Sequence, residues 1–137
     1  METVADRMTR DVLTVTPETS LSEVREIMRR SNIRHLPVVR DGLLVGLVTD
    51  RDIRRVWPSD ATSLSIWELN YLLDKVKVKE FMTRKVVTTM THTSLAAAAK
   101  VMLDRKISCL PVVEKGAVVG ILTQTDLVLV LASLMAA

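Results

Sequence analysis

The chain has 137 residues, a formal net charge of +3, 48% apolar residues and a single cysteine. That length allows one compact domain or two small units, and burial of roughly 68% of the unfolded surface makes a metal or disulfide staple unnecessary. Cys109 alone excludes an internal disulfide and fits a reducing compartment; METVADRMTRDV at the start carries no export signal, and the longest apolar stretch, Leu127 to Ala137, is too short to span a bilayer. A cytoplasmic protein without membrane contact is expected. Residues 1–68 carry 10 Arg, no Lys and 11 acids, against 9 basic and 5 acidic residues in the remainder. No like-charged block forms, and 3% aromatic residues cannot build a stacking platform, so nucleic acid is an improbable partner.

Along the chain, Val12–Thr16 is a short β-branched run. Ser20-Leu21-Ser22-Glu23 has the form of a capping box and opens a helix to about Arg30, with Val24, Ile27 and Met28 on one face. Leu36–Arg40 and Leu43–Thr49 flank Asp41-Gly42, a two-residue hairpin signal, and a helix follows from Asp50 to about Val56, ended by Trp57-Pro58. Residues 58–77 read as a docked connecting helix: Thr62, Ser63 and Ser65 offer N-caps, and Ile66, Leu69 and Leu73 make an apolar stripe. The first pattern then returns as Val86–Met90, a helix from Leu95 to about Asp104, Leu110–Glu114, Lys115-Gly116, Ala117–Thr123 and a helix from Gln124. That last helix is apolar nearly all round and should be buried against the other half or a second subunit, which favours a homodimer.

This return is an internal repeat. Residues 8–52 align with 82–126 at a constant shift of 74 without a gap, and 19 of the 45 positions are identical. One supersecondary unit used twice is expected to close on itself across a pseudo-twofold axis.

No catalytic set and no metal-ligand spacing is visible; His35, His92 and Cys109 are the only His and Cys residues. The informative constellation is Thr49-Asp50-Arg51-Asp52, echoed by Thr123-Gln124-Thr125-Asp126. In each copy a strand ends in Thr, and an Asp follows three residues later on the first turn of a helix. The helix start and Thr hydroxyl suit phosphate, and a carboxylate, which only accepts, suits the vicinal diol of a ribose. Gly46 and Gly120 would let a ligand ring approach the backbone, while Arg34 and His35 add cationic groups for an anion. Thr-x-x-Asp is equally a capping box needing no ligand, and the residues alone leave the two readings level.

Both copies resemble the cystathionine-β-synthase (CBS) motif: M-T, a short strand, an amphipathic helix, I-x-x-L-P-V-V, a turn Gly, V-G-h-h-T-x-x-D (h apolar) and a helix. As a tandem pair, or Bateman module, the resemblance covers about 90% of the chain, and the insert is similar to that of small stand-alone prokaryotic members of the acetoin-utilisation type. It implies an α/β (α+β) fold of two β-α-β-β-α repeats with their sheets packed together and helices outside, divided as repeat 1 (1–57), connecting segment (58–77) and repeat 2 (78–137). It implies a non-enzymatic regulatory module that binds AMP, ADP, ATP or S-adenosylmethionine in the inter-repeat cleft, with no required cofactor and a separate effector protein. By position, Asp52 and Asp126 would hold ribose hydroxyls, and Thr49 and Thr123 phosphate. Arg34, His35 and Arg51 would supply basic groups for the phosphates, Val12 and Val86 would offer backbone groups to adenine, and Asp50, Pro37 and Pro111 complete the set. The second copy has Ser108-Cys109 and Gln124-Thr125 in place of the cationic residues, so unequal sites are expected. The alternative is a ligand-free homodimerisation scaffold in which Thr and Asp are only helix caps.

Overall fold

The computed structural model describes residues 1–59 and 63–136. Its elements run α1 (Val4–Arg7), α2 (Leu21–Ser31), β1 (His35–Arg40), β2 (Leu43–Thr49), α3 (Asp50–Val56), α4 (Ile66–Lys75), a 3-10 turn at Val78–Glu80, α5 (Leu95–Arg105), β3 (Cys109–Glu114), β4 (Ala117–Thr123) and α6 (Gln124–Ala136). The order is α+β, with each hairpin forming its own two-stranded sheet. Both hairpin tips have positive φ at their two central residues, Asp41 (51°) with Gly42 (80°) and Lys115 (51°) with Gly116 (81°). That conformation matches the twist of the strands and explains why Asp-Gly and Lys-Gly sit there.

Two compact units result, and they follow contacts rather than the sequence period. The α2 unit comprises Leu13–Asp41 and Val45–Lys85; the α5 unit comprises Met1–Val12, Gly42–Leu44 and Val86–Ala137. Residues 1–12 thus belong with the second repeat, and residues 78–85 with the first.

In the α2 unit, Ser20 Oγ accepts the Glu23 N–H (3.2 Å), and Asn32 in the left-handed conformation (φ 51°) ends the helix. Leu21, Val24 and Met28 are buried at i, i+3 and i+7 against Leu36, Val38, Val48 and Val78. The connecting helix α4 begins at Ser65, whose capping box with Glu68 is formed. Its inward residues are Leu73 and, half-buried, Leu69. Ile66, expected on the same stripe, is 63% exposed instead, because it occupies the first helical position and precedes the face that docks. The N-cap expected at Thr62 lies outside the described residues.

The strands expected at Val12–Thr16 and Val86–Met90 shrink to single parallel bridges, Val15 with Val38 and Thr89 with Val112. Val15 N–H donates to the Pro37 carbonyl (3.0 Å) and Val39 N–H donates back to Val15 (2.8 Å). The next rung toward the N-terminus would need an N–H from Pro37, and the one after Val15 an N–H from Pro17. Proline therefore limits the first copy's ladder on both sides; in the second copy Pro111 removes the equivalent N-terminal rung, while position 91 is Thr.

The α5 unit repeats the plan. Leu95, Ala98 and Met102 pack with Leu110, Val112 and Leu122, and the core is completed by Val4 and Met8 from residues 1–12. In β3–β4, Pro111 faces Ile121 and Val112 faces Gly120, with a bulge after Val112. Within the single chain none of the described residues of helix α6 is fully buried, and Val128, Leu129, Leu131, Leu134 and Met135 are 55–77% exposed. Only Leu127 and Val130 lean on the α5-unit core.

Candidate functional site

Each unit carries one Thr-x-x-Asp element at the end of its hairpin. Thr49 Oγ1 accepts the Asp52 N–H (3.3 Å), while Asp52 Oδ2 accepts the Thr49 N–H (2.9 Å) and hydroxyl (3.1 Å). Thr123 and Asp126 repeat these contacts at 3.3, 2.8 and 3.1 Å. The capping box is therefore real in both copies, even though its N3 residue is the shorter Asp. Asp52 is 5% exposed and Asp126 half-buried.

A second threonine reaches each carboxylate from a distant part of the chain. Thr9 donates to Asp126 Oδ1 at 3.0 Å, and Thr83 donates to Asp52 with 3.3 Å to either oxygen. These are the threonines of the two Met-Thr dipeptides, each placed by a backbone bridge: Thr9 exchanges two 2.9 Å hydrogen bonds with Ile121, and Thr83 exchanges bonds of 2.8 and 2.9 Å with Leu47. The methionines explain the glycines. A Cβ on Gly46 would lie 2.6 Å from Met82 Sδ, and one on Gly120 would lie 2.5 Å from Met8 Sδ. The notch expected to admit a ligand ring is filled by methionine. Sequence reasoning found the dipeptide but gave it no role; its signal was the identity of Met-Thr in both copies beside an equally repeated Val-Gly.

In the α2 unit the structure brings Arg34, His35, Thr49, Asp50, Arg51 and Asp52 together. The Asp50 N–H donates to the Arg34 carbonyl (3.0 Å), which ties the head of β1 to the first turn of α3. Arg34 and Arg51 are exposed, whereas Asp50 is paired with Arg54 at 3.1 Å. Burial, reinforced by the neighbouring Arg34 charge and opposed by Asp50, pushes the His35 pKa below its ordinary 6.5. That burial works against the imidazolium form that the anion-binding role of His35 would use. In the α5 unit the equivalent tie runs from the Gln124 N–H to the Ser108 carbonyl (3.0 Å), and Cys109, where His35 sits in the first copy, is a buried thiol pushed up to about 12.

Pro37 and Pro111 are fully buried, and their carbonyls are taken by Val15 and Thr89. Val12 and Val86 are half-buried, and both belong to the α5 unit. The Val12 N–H already donates to the Arg10 carbonyl at 3.0 Å. Among the described residues, no group of His, Cys, Asp and Glu is placed to hold a metal ion, and no helix is long and apolar enough to cross a membrane.

Residues 4–59 and 78–133 each match the family model described as CBS domain. The chain belongs to the CBS domain family. As a tandem CBS pair it is similar to the AcuB structure from Vibrio cholerae, with a TM-score of 0.84 and 30% identity across 99% of this chain and 94% of that one. CBSX2 of Arabidopsis thaliana in complex with AMP gives 0.81 and 30% across 98% and 99%. The CBS pair of protein MJ0100, in complex with 5′-methylthioadenosine and S-adenosyl-L-methionine, gives 0.79 and 29% across 97% and 98%. Among curated relatives, MJ1225 of Methanocaldococcus jannaschii is 34% identical across 91% of this chain, and the CBS domain-containing protein YhcV of Bacillus subtilis is 32% identical across 93%. The pair spans 84% of YhcV but 45% of MJ1225. It spans 21% of the inosine-5′-monophosphate dehydrogenase of Thermoplasma acidophilum, at 32% identity.

Proposed function

We propose that this CBS pair is a non-enzymatic regulatory module of the cytoplasm that binds an adenosine-containing ligand through the ribose diol at Asp52 and Asp126 and reports on energy or metabolite state to a separate effector protein. The observation that carries this reading is the division of labour within each carboxylate. Oδ2 serves the helix cap, so capping and ribose binding are compatible uses of one side chain, and Oδ1 keeps acceptor capacity. Complexes of CBSX2 with AMP, and of MJ0100 with 5′-methylthioadenosine and S-adenosyl-L-methionine, support the ligand class.

The two sites differ in charge. Beside Asp52 stand Arg34, His35 and Arg51; beside Asp126 stand Ser108, Gln124 and Thr125. A phosphorylated nucleotide therefore favours Asp52, and a ligand with less negative charge favours Asp126. Titration calorimetry with AMP, ATP and S-adenosylmethionine tests this. Unequal sites are expected, and Asp52→Ala should weaken AMP binding by about 1–3 kcal/mol, the range for a hydrogen bond to a charged group. Two equal, tight ATP sites per chain would overturn the asymmetry.

The exposed apolar side of α6 favours a second reading, a homodimerisation scaffold. This helix borders a groove of about 390 Å³ lined largely by apolar side chains such as Leu95, Leu127 and Leu131. Light scattering of the native chain beside Leu131→Glu measures the dimer, and melting with millimolar adenosine compounds separates scaffold from sensor. A ligand at 100 times its dissociation constant adds about 2.7 kcal/mol; no shift with any of them would leave the scaffold alone.

A further inference from the structure

Resting on the ribose reading above, we propose that the Thr9 hydroxyl is an internal stand-in for one ribose hydroxyl on Asp126, so that this threonine sets the preference between ribose and deoxyribose. A carboxylate presents about four lone-pair positions. On Asp126 the Thr123 N–H and hydroxyl converge on Oδ2 at 2.8 and 3.1 Å, and Thr9 takes one position on Oδ1 at 3.0 Å. One position is left. A ligand with a single hydroxyl can use it, whereas a vicinal diol, with two donors, must also take the one that Thr9 holds.

The competing role for Thr9, orienting the acid, is already filled. The two Thr123 bonds fix the carboxylate, and its own backbone N–H is tied to Thr123 Oγ1. Thr9 can give up its side-chain bond without moving its backbone, because the paired 2.9 Å bonds to Ile121 hold it in place. Thr83 is the counterpart on Asp52, but its hydroxyl is split between the two oxygens at 3.3 Å and is the weaker competitor.

The test uses the full chain with Asp52→Asn, which leaves Asp126 as the acid being read, and calorimetry with adenosine and 2′-deoxyadenosine. Thr9→Val is expected to tighten adenosine about tenfold, the factor that corresponds to 1.4 kcal/mol, and to leave 2′-deoxyadenosine within about twofold. Thr9→Ser keeps the hydroxyl and should behave as its parent; Thr9→Ala serves as a second deletion should the valine disturb folding. In an Asp126→Asn background that retains Asp52, Thr83→Val should give a smaller gain, about threefold for a longer, divided bond. Weaker adenosine binding in Thr9→Val, or an equal shift for both nucleosides, overturns the stand-in. Adenosine binding that survives Asp126→Asn together with Asp52→Asn overturns the ribose reading itself, a separate result from either of these.

Discussion

At the scale of single residues, His35 and Cys109 show what one position becomes in two environments. Both head the first strand of a hairpin, and both are largely withdrawn from water. Burial drives both toward their neutral forms, lowering the imidazole and raising the thiol to about 12. The sequence announces residue types with a charge or a nucleophile in prospect; burial, which no local pattern specifies, works against both. For His35 the consequence can be measured. Its folded pKa lies below the unfolded value of 6.5, so below that pH the unfolded chain binds the proton better. The stability it contributes is complete above pH 6.5 and is lost as the pH falls toward the lowered folded value. Urea denaturation at pH 7.5 and 5.5 should show a smaller acid-induced loss in His35→Gln than in the native chain.

At the scale of elements, most of the fold was legible because its signals are local. The hairpin tips required positive φ, which Asp41-Gly42 and Lys115-Gly116 provide, and the serine caps at Ser20, Ser65 and Ser94 sit where their helices start. The short first strands were misread because their β-branched composition is local, while the N–H groups missing from the next rung belong to Pro37 and Pro111 on the partner strands. Helix C-termini show how the two copies reach one geometry with different residues. Asn32 (φ 51°) and Lys106 (φ 55°) both end their helices left-handed, and Ile33 and Ile107 return hydrogen bonds of 3.0 Å to Met28 and Met102. Asparagine tolerates that conformation, whereas lysine carries a Cβ penalty of about 1 kcal/mol. Lys106→Gly should therefore stabilise the chain by roughly 0.5–1 kcal/mol in urea denaturation, and Asn32→Gly by less.

At the scale of the molecule, the feature the repeat concealed is exchange. A period of 74 residues identifies two copies but not which Met-Thr packs into which glycine notch, since both dipeptides and both notches are chemically alike. Either pairing satisfies every local rule, and only the path of the chain decides. The path taken sends residues 1–12 to the second repeat: Val4 is fully buried in the core with Leu95, Ala98 and Met102, and Met8 fills the notch at Gly120. The first repeat receives Met82 and Thr83 in return. A charge placed at position 4 distinguishes the two organisations. If residues 1–57 formed a folding unit, Val4→Asp would loosen α2 and the β1–β2 hairpin. With the exchange, an unpaired carboxylate enters the α5-unit core at a cost of several kcal/mol. Amide hydrogen exchange on this variant should then lose protection in α5 and β3–β4, more than 90 residues from the substitution, while α2 and β1–β2 keep theirs.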